Sequence, residues 1–329
     1  MKPSESARTA LKNVLKLVSG ERLLIVADEE RLEIAKAFAE AGLSLGAWVR
    51  LVVLTPGDEF RREVPGFLRE IIIGSRPDVA VNLLRGIAAE VPFRISLIKL
   101  ETENAGSRLA HCPGITIDML TKGALALSDE DYQEMARRAS GLLAALEGTV
   151  EVRVENPDGT KVTMSVRGRN FFTDVWMVKN WVNLPVGEVI VAPVETSLEG
   201  VIVARAAGGI GLVKEKIWLE VSEGRVKRIH SPNKKVEEEV RRVLETDDQS
   251  SLAGEFAIGL NKKARIVPEF LESEKVYGTV HIAFGNNSDF PGGKNRSKTH
   301  IDFLIIEPTV EVEYEDGKRR TILKGGVFV

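Results

Sequence analysis

Around Gly148 the hydrophobic pattern of this chain changes its period, and that change limits the folds open to it. Before it, short apolar runs alternate with helical stretches. "RLLIVAD" (Arg22–Asp28) has the composition of a buried strand. "EERLEIAKAFAEAG" follows, with Leu32, Ala35, Phe38 and Ala39 on one helical face and Gly42 placed as its C-cap. "AWVRLVVLTP", "VAVNLL" (79–84) and "RISLIKL" read as further strands. A βαβ series of this kind predicts a small parallel sheet, because parallel neighbours need crossover connections. "SDEDYQEMARRASGLLAALEG" closes the series as a helix, with Ser128 at the N-cap and Asp131 at the capping-box position. After Gly148, "TVEVRVENPDGTKVTMSVRG" alternates apolar and polar residues around "NPDG", a hairpin signal. "EVIVAPVETSLEGVIVARA", "KIWLEVSEGRVKRIH", "VYGTVHIAFG" and "HIDFLIIEPTVEVEYEDGKRR" are strand-like as well, interrupted by one helix, "NKKVEEEVRRVLET". The expectation is an α/β N-terminal domain with a small parallel sheet over residues 1–147. An α+β, mostly antiparallel domain then spans residues 148–329.

Several function classes are disfavoured. The turn after the first strand, "ADEERLE", is acidic and lacks the glycines with which backbone amides approach a pyrophosphate, so no dinucleotide site is expected there. A net charge of −3 offers no global basic field for nucleic acid. The longest apolar runs fall well short of the ~20 residues of a membrane span. No secretory leader is visible, and a single cysteine, Cys112, leaves no intramolecular disulfide and no Cys-rich zinc site. These features predict a cytoplasmic protein with no nucleic acid and no membrane, and they do not point to a substrate.

The chain has four histidines, and two of them flank the loop in "HIAFGNNSDFPGGKNRSKTHID". On a strand, residues i and i+2 share a face. His300 and Asp302 therefore converge, and His281 shares a face with Thr279 and Ala283. Two acidic residues stand in similarly apolar contexts: Glu188 in "NLPVGEVIVAP" and Glu255 in "SSLAGEFAIGLN". Burying a bare carboxylate costs several kcal/mol unless something pairs with it, and a divalent metal is one such partner. A single carboxylate at a strand edge is more simply a solvated one.

The segments "NLPVGEV", "GEFAIGLN", "EKVYGTVHIAFG", "GGKN" and "HIDF" resemble the thermophilic metallo-aminopeptidases, in that family's order and over roughly residues 150–329. The resemblance implies a two-metal site with Glu188, Glu255, His281, His300 and Asp302 as ligands, and a homodimer. It implies an aminopeptidase that releases N-terminal amino acids through a hydroxide activated by two metals, with Glu255 or Glu188 moving the proton. A mixed N/O ligand set suits zinc, cobalt or manganese. The tyrosine that the family carries shortly after its first histidine has no counterpart in "HIAFGNNSDF", and the loop to His300 is short. Two alternatives stay open. One is a ring-cleaving dioxygenase of the dihydroxypyridine type, with one Fe(II) on His281, His300 and Asp302. The other is a non-catalytic metal-binding homologue.

Other residues read as structural. His111 and Cys112 are adjacent, so on a strand they face opposite ways. His230 is expected at the surface, Asn286, Asn287 and Asp289 as turn residues, and "GGIG" (208–211) as a bulge. Lys294 could reach a substrate carboxylate.

Overall fold

A computed structural model describes residues 1–55, 57, 59–178 and 180–329. The chain forms two units, one of Met1–Ala136 with Asp174–Val186, the other of Arg137–Thr173 with Gly187–Val329. In the first unit, strands β1 (Arg22–Asp28), β2 (Trp48–Leu54), β3 (Val79–Leu83) and β4 (Arg108–His111) are all parallel. The rest of the chain supplies β5 (Thr149–Glu155), β6 (Lys161–Ser165), β7 (Phe172–Thr173), β8 (Trp181–Asn183), β9 (Glu188–Val191), β10 (Glu199–Ala207), β11 (Gly211–Ser222) and β12 (Arg225–His230). It continues with β13 (Ala253–Gly259), β14 (Val280–Gly285), β15 (His300–Ile305), β16 (Thr309–Tyr314), β17 (Arg319–Lys324) and β18 (Val327–Phe328).

The parallel sheet has the order β2-β1-β3-β4-β8. Its last strand comes from late in the chain: β8 pairs with β4 in parallel, Leu109 against Trp181 through His111 against Asn183. That pairing returns Asp174–Val186 to the first unit, where sequence periodicity suggested one boundary after residue 147. The helix Asp129–Leu146 has the expected cap, with Ser128 N donating to Asp131 Oδ2 at 2.9 Å and Asp131 N donating to Ser128 Oγ at 3.1 Å.

Two local expectations are corrected. "RISLIKL" is not a strand: it lies in the helix Val91–Lys99 and the short π-helix Leu100–Asn104 after it. Pro92 in its first turn suits a helix start, and Phe93 and Leu97 point into a core with Leu24, Leu68 and Ile72. Gly42 is not a C-cap but an interior residue of the helix Leu32–Ser44. A Cβ there would stand 2.6 Å from Leu23 Cδ2 and 2.9 Å from Val49 Cγ2, so the glycine lets the helix lie close to the sheet. The acidic end of β1 is also not a bare acidic turn. Buried Asp28 accepts from Arg61 Nη2 at 3.0 Å and from Arg85 N at 2.7 Å, and both arginine side chains also bond buried Glu90.

The second unit is a large antiparallel sheet of order β18-β17-β16-β5-β6-β10-β15-β14-β13-β9-β7, with β11 and β12 extending from β10. The "NPDG" hairpin joins β5 to β6 as expected, with Glu155 against Lys161. The amphipathic helix Lys234–Leu244 is capped by Asn233, whose Oδ1 accepts from Lys235 N and Val236 N. The strands β15-β14-β13-β9 are neighbours in that order, and they carry the candidate ligands.

Candidate metal centre

Four adjacent strands bring Glu188, Glu255, His281, His300 and Asp302 to one face. Glu188 opens β9, Glu255 is third in β13, His281 second in β14, and His300 and Asp302 first and third in β15. Register sets their rows. Ala283 pairs with Glu255 on one side and Asp302 on the other, and His281 pairs with Ala257 and Leu304. Glu188 pairs with Gly259. Paired residues on neighbouring strands face the same way, as do i and i+2. The i+2 relation of His300 to Asp302 was therefore readable locally, and the ladder adds the other three.

The side-chain distances are short. His281 Nε2 lies 3.3 Å from Glu255 Oε1, 3.5 Å from Glu188 Oε2 and 3.9 Å from Asp302 Oδ1. His300 Nε2 lies 3.1 Å from Glu255 Oε2 and 3.2 Å from Asp302 Oδ1. Glu255 thus turns one oxygen to each imidazole. Glu188, Glu255 and His281 are buried, while His300 keeps 31% of its side chain exposed.

The electrostatics follow from this crowding. Desolvation opposes protonation of His281, but Glu255, Glu188 and Asp302 outweigh it and hold the imidazole at about 9. Desolvation likewise opposes a charged His300, and Asp302 and Glu255 raise it well above the ordinary value. Burial pushes Glu255 up, but the two imidazoles win and keep its carboxyl well below the usual carboxylate range.

The donor set fits a divalent metal. Glu188, Glu255 and His281 each offer a donor atom within 4.8 Å of the others, and so do Glu255, His300 and Asp302. The two triples share Glu255. His300 Nδ1 lies 2.8 Å from the carbonyl oxygen of Asn286, to which it can donate, leaving Nε2 as the coordinating nitrogen. Among the described residues, His281 Nδ1 is buried without a hydrogen-bond partner.

Two residues that the sequence offered only as the start of "EKVYGTVHIAFG", with no role of their own, also belong here. Glu274 forms a third triple with His281 and Asp302, and Lys275 bonds Glu188. "ESEK" by itself reads as an ordinary charged run, so it is the fold that sets these two beside the ligands. Burial pushes the Glu274 carboxyl up, with Lys275 acting against that.

The loop between the histidines is held by its asparagines. Asn287 Nδ2 donates to Gly254 O at 3.1 Å, and its Oδ1 accepts from Asn295 N at 2.8 Å. Asn295 Nδ2 donates to Ala253 O and Gly285 O at 3.0 and 3.1 Å. Glu195 accepts from Lys294 N at 2.8 Å and pairs with Arg169 at 2.6 Å. The Lys294 side chain is exposed. Phe290, at the loop's tip, meets the His300 ring edge-on at 6.2 Å between centroids, with Phe172 5.4 Å beyond it. At "GGIG", Gly208 N donates to Asp302 O at 2.9 Å. His111 and Cys112 are buried in the first unit, and His230 is exposed, its ring tilted against Trp218 with centroids 5.6 Å apart.

Residues 128–328 match the model of the thermophilic metalloprotease family, M29. The chain belongs to that family. Among curated proteins, aminopeptidase T of Thermus thermophilus is similar to this M29 chain, 30% identical over 167 residues. That match covers 45% of this chain and 40% of the relative, so the chain spans well under half of the curated protein's length. Wild-type AmpT from Thermus thermophilus has the same fold, with a TM-score of 0.75 at 20% identity over 100% of this chain and 99% of the other. The 2,5-dihydroxypyridine dioxygenase from Pseudomonas putida KT2440 shares it too, with a TM-score of 0.69 at 16% identity over 99% and 96% of the two chains. The parallel-sheet unit and the large antiparallel unit of this chain thus make up a fold that it shares with those two structures. Among the described residues, no helix is long and apolar enough to cross a membrane.

Proposed function

We propose that the chain is a two-metal aminopeptidase that removes N-terminal amino acids from peptides. The observation that carries this reading is the pair of donor triples joined by Glu255. One position would be held by Glu188, Glu255 and His281, the other by Glu255, His300 and Asp302. Two dications there would polarise the scissile carbonyl and lower the pKa of a water. Both oxygens of Glu255 face imidazoles, so its part is to hold the two positions together with shared negative charge. Asn286 O fixes the ring of His300 through Nδ1. The exposed side of His300, walled by Phe290, is where a substrate's first side chain would lie. Zinc, cobalt or manganese suits these ligands, and we add to the proposal a homodimer, on the family resemblance, and a cytoplasmic location, on the composition of the chain.

Elemental analysis of purified protein, with turnover of aminoacyl-anilides, tests the proposal. About two zinc, cobalt or manganese ions per chain with release of the anilide supports it. One iron per chain, with cleavage of a dihydroxypyridine, would favour the triad of His281, His300 and Asp302. No metal and no turnover would leave a non-catalytic homologue. Light scattering should give twice the 36.1 kDa chain mass.

A further inference from the structure

Lys275 is 2% exposed, and its ammonium donates to Glu188 Oε1. It also lies 2.9 Å from Glu274 Oε1. A buried lysine is costly unless paired, and both partners here belong to the metal cluster. The backbone is built to bring it there. Lys275 N donates to Glu272 O at 3.1 Å, and its carbonyl accepts from Asn261 N at 2.9 Å. Gly259, the register partner of Glu188, leaves room for that segment: a Cβ on it would stand 2.0 Å from Val276 O and 3.1 Å from Lys275 C. One glycine therefore lets the Lys275 segment pass directly over the strand pair that carries Glu188.

We propose that Lys275 is a positioning residue, a fixed internal cation that holds Glu188 Oε1 and leaves Oε2 as that residue's one donor to the metal position shared with Glu255 and His281. This rests on the two-metal reading. The ammonium occupies one side of Oε1, which disfavours chelation of a dication through both oxygens. Its positive charge also opposes a nearby dication, because like charges a few ångströms apart repel strongly at the effective dielectric of a protein interior. Lys275 thereby keeps the metal position weaker and Glu188 better oriented than the carboxylates alone would make it. Glu274 balances part of that charge.

The test is zinc binding to chelator-stripped full-length protein, measured by competition with a chromophoric chelator, for wild type, Lys275→Met and Glu274→Gln. Removing the internal cation should tighten zinc binding by about tenfold or more, while anilide turnover falls in kcat with KM little changed. Glu274→Gln leaves Lys275 uncompensated and should weaken zinc binding by about tenfold. A lysine that only fills space would give Lys275→Met the same or weaker affinity, and either result overturns the proposal. If Lys275→Met does not fold, Glu274→Gln decides alone: unchanged or tighter binding overturns it. Wild-type protein that takes up no zinc overturns the functional reading itself, and this inference with it.

Discussion

Glu255 faces Ala283 across the β13–β14 ladder. Ala283 is also the partner of Asp302 in β15, so only a methyl group stands in the row between the two carboxylates. Ala283 is fully buried. Ala283→Val would add two methyl groups where the donors converge. It should cost about 1–3 kcal/mol of stability through overpacking and reduce bound metal to less than one ion per chain. Denaturant unfolding and elemental analysis of the variant check both; full occupancy would show that the site lies off this row.

Glu255 serves both donor triples, so its loss should be felt at both. Glu255→Gln keeps size and removes the shared charge. Metal affinity should fall by more than the ~10–100-fold typical of losing an outer-shell partner, and anilide hydrolysis should vanish while the circular dichroism spectrum stays unchanged. Hydrolysis surviving in this variant would remove Glu255 from the site's chemistry.

Phe290 is half-buried beside the exposed edge of His300. An aromatic wall there favours substrates with large apolar first residues. Phe290→Ala should raise KM for leucyl- and phenylalanyl-anilides by roughly tenfold, in line with losing about 1.5 kcal/mol of apolar burial. The alanyl-anilide should change little. Equal effects on all three substrates would place the first side chain elsewhere.

In the first unit, burial pushes the Glu101 carboxyl up to about 8, with a hydrogen bond from Asn82 acting against the shift. Glu101 is thus protonated in the folded chain at pH 7 and ionised in the unfolded one. Between its ordinary value near 4.5 and about 8, unfolding releases a proton, so the folded state loses stability as pH rises through that window. Below it the contribution is fully present. Glu101→Gln puts an amide of the same size in place of the carboxyl and removes the titration. Subtracting its urea-unfolding free energies from those of wild type should leave a difference that falls by a few kcal/mol, on the order expected of a shifted buried acid, from pH 5 to pH 8. A flat difference would mean Glu101 titrates normally.

Local pattern settled a good part of this protein by itself. The switch from helix-separated strands to period-2 strands, the Ser128–Asp131 cap, the "NPDG" hairpin and the convergence of His300 with Asp302 all depend on neighbours a few residues away. Such features are legible because strand and helix periods act over short stretches. Tertiary structure decided the rest. "RISLIKL" is helical because Phe93 and Leu97 find a core on one side, which a short apolar run does not announce. The strand β8 joins the parallel sheet by pairing with β4, some seventy residues earlier in the chain. Lys275 looks like a solvated charge until the ladder sets Glu188, 87 residues away, beneath it. Burial and pairing of a charge are properties of the space around it, and that space exists only once distant strands have met.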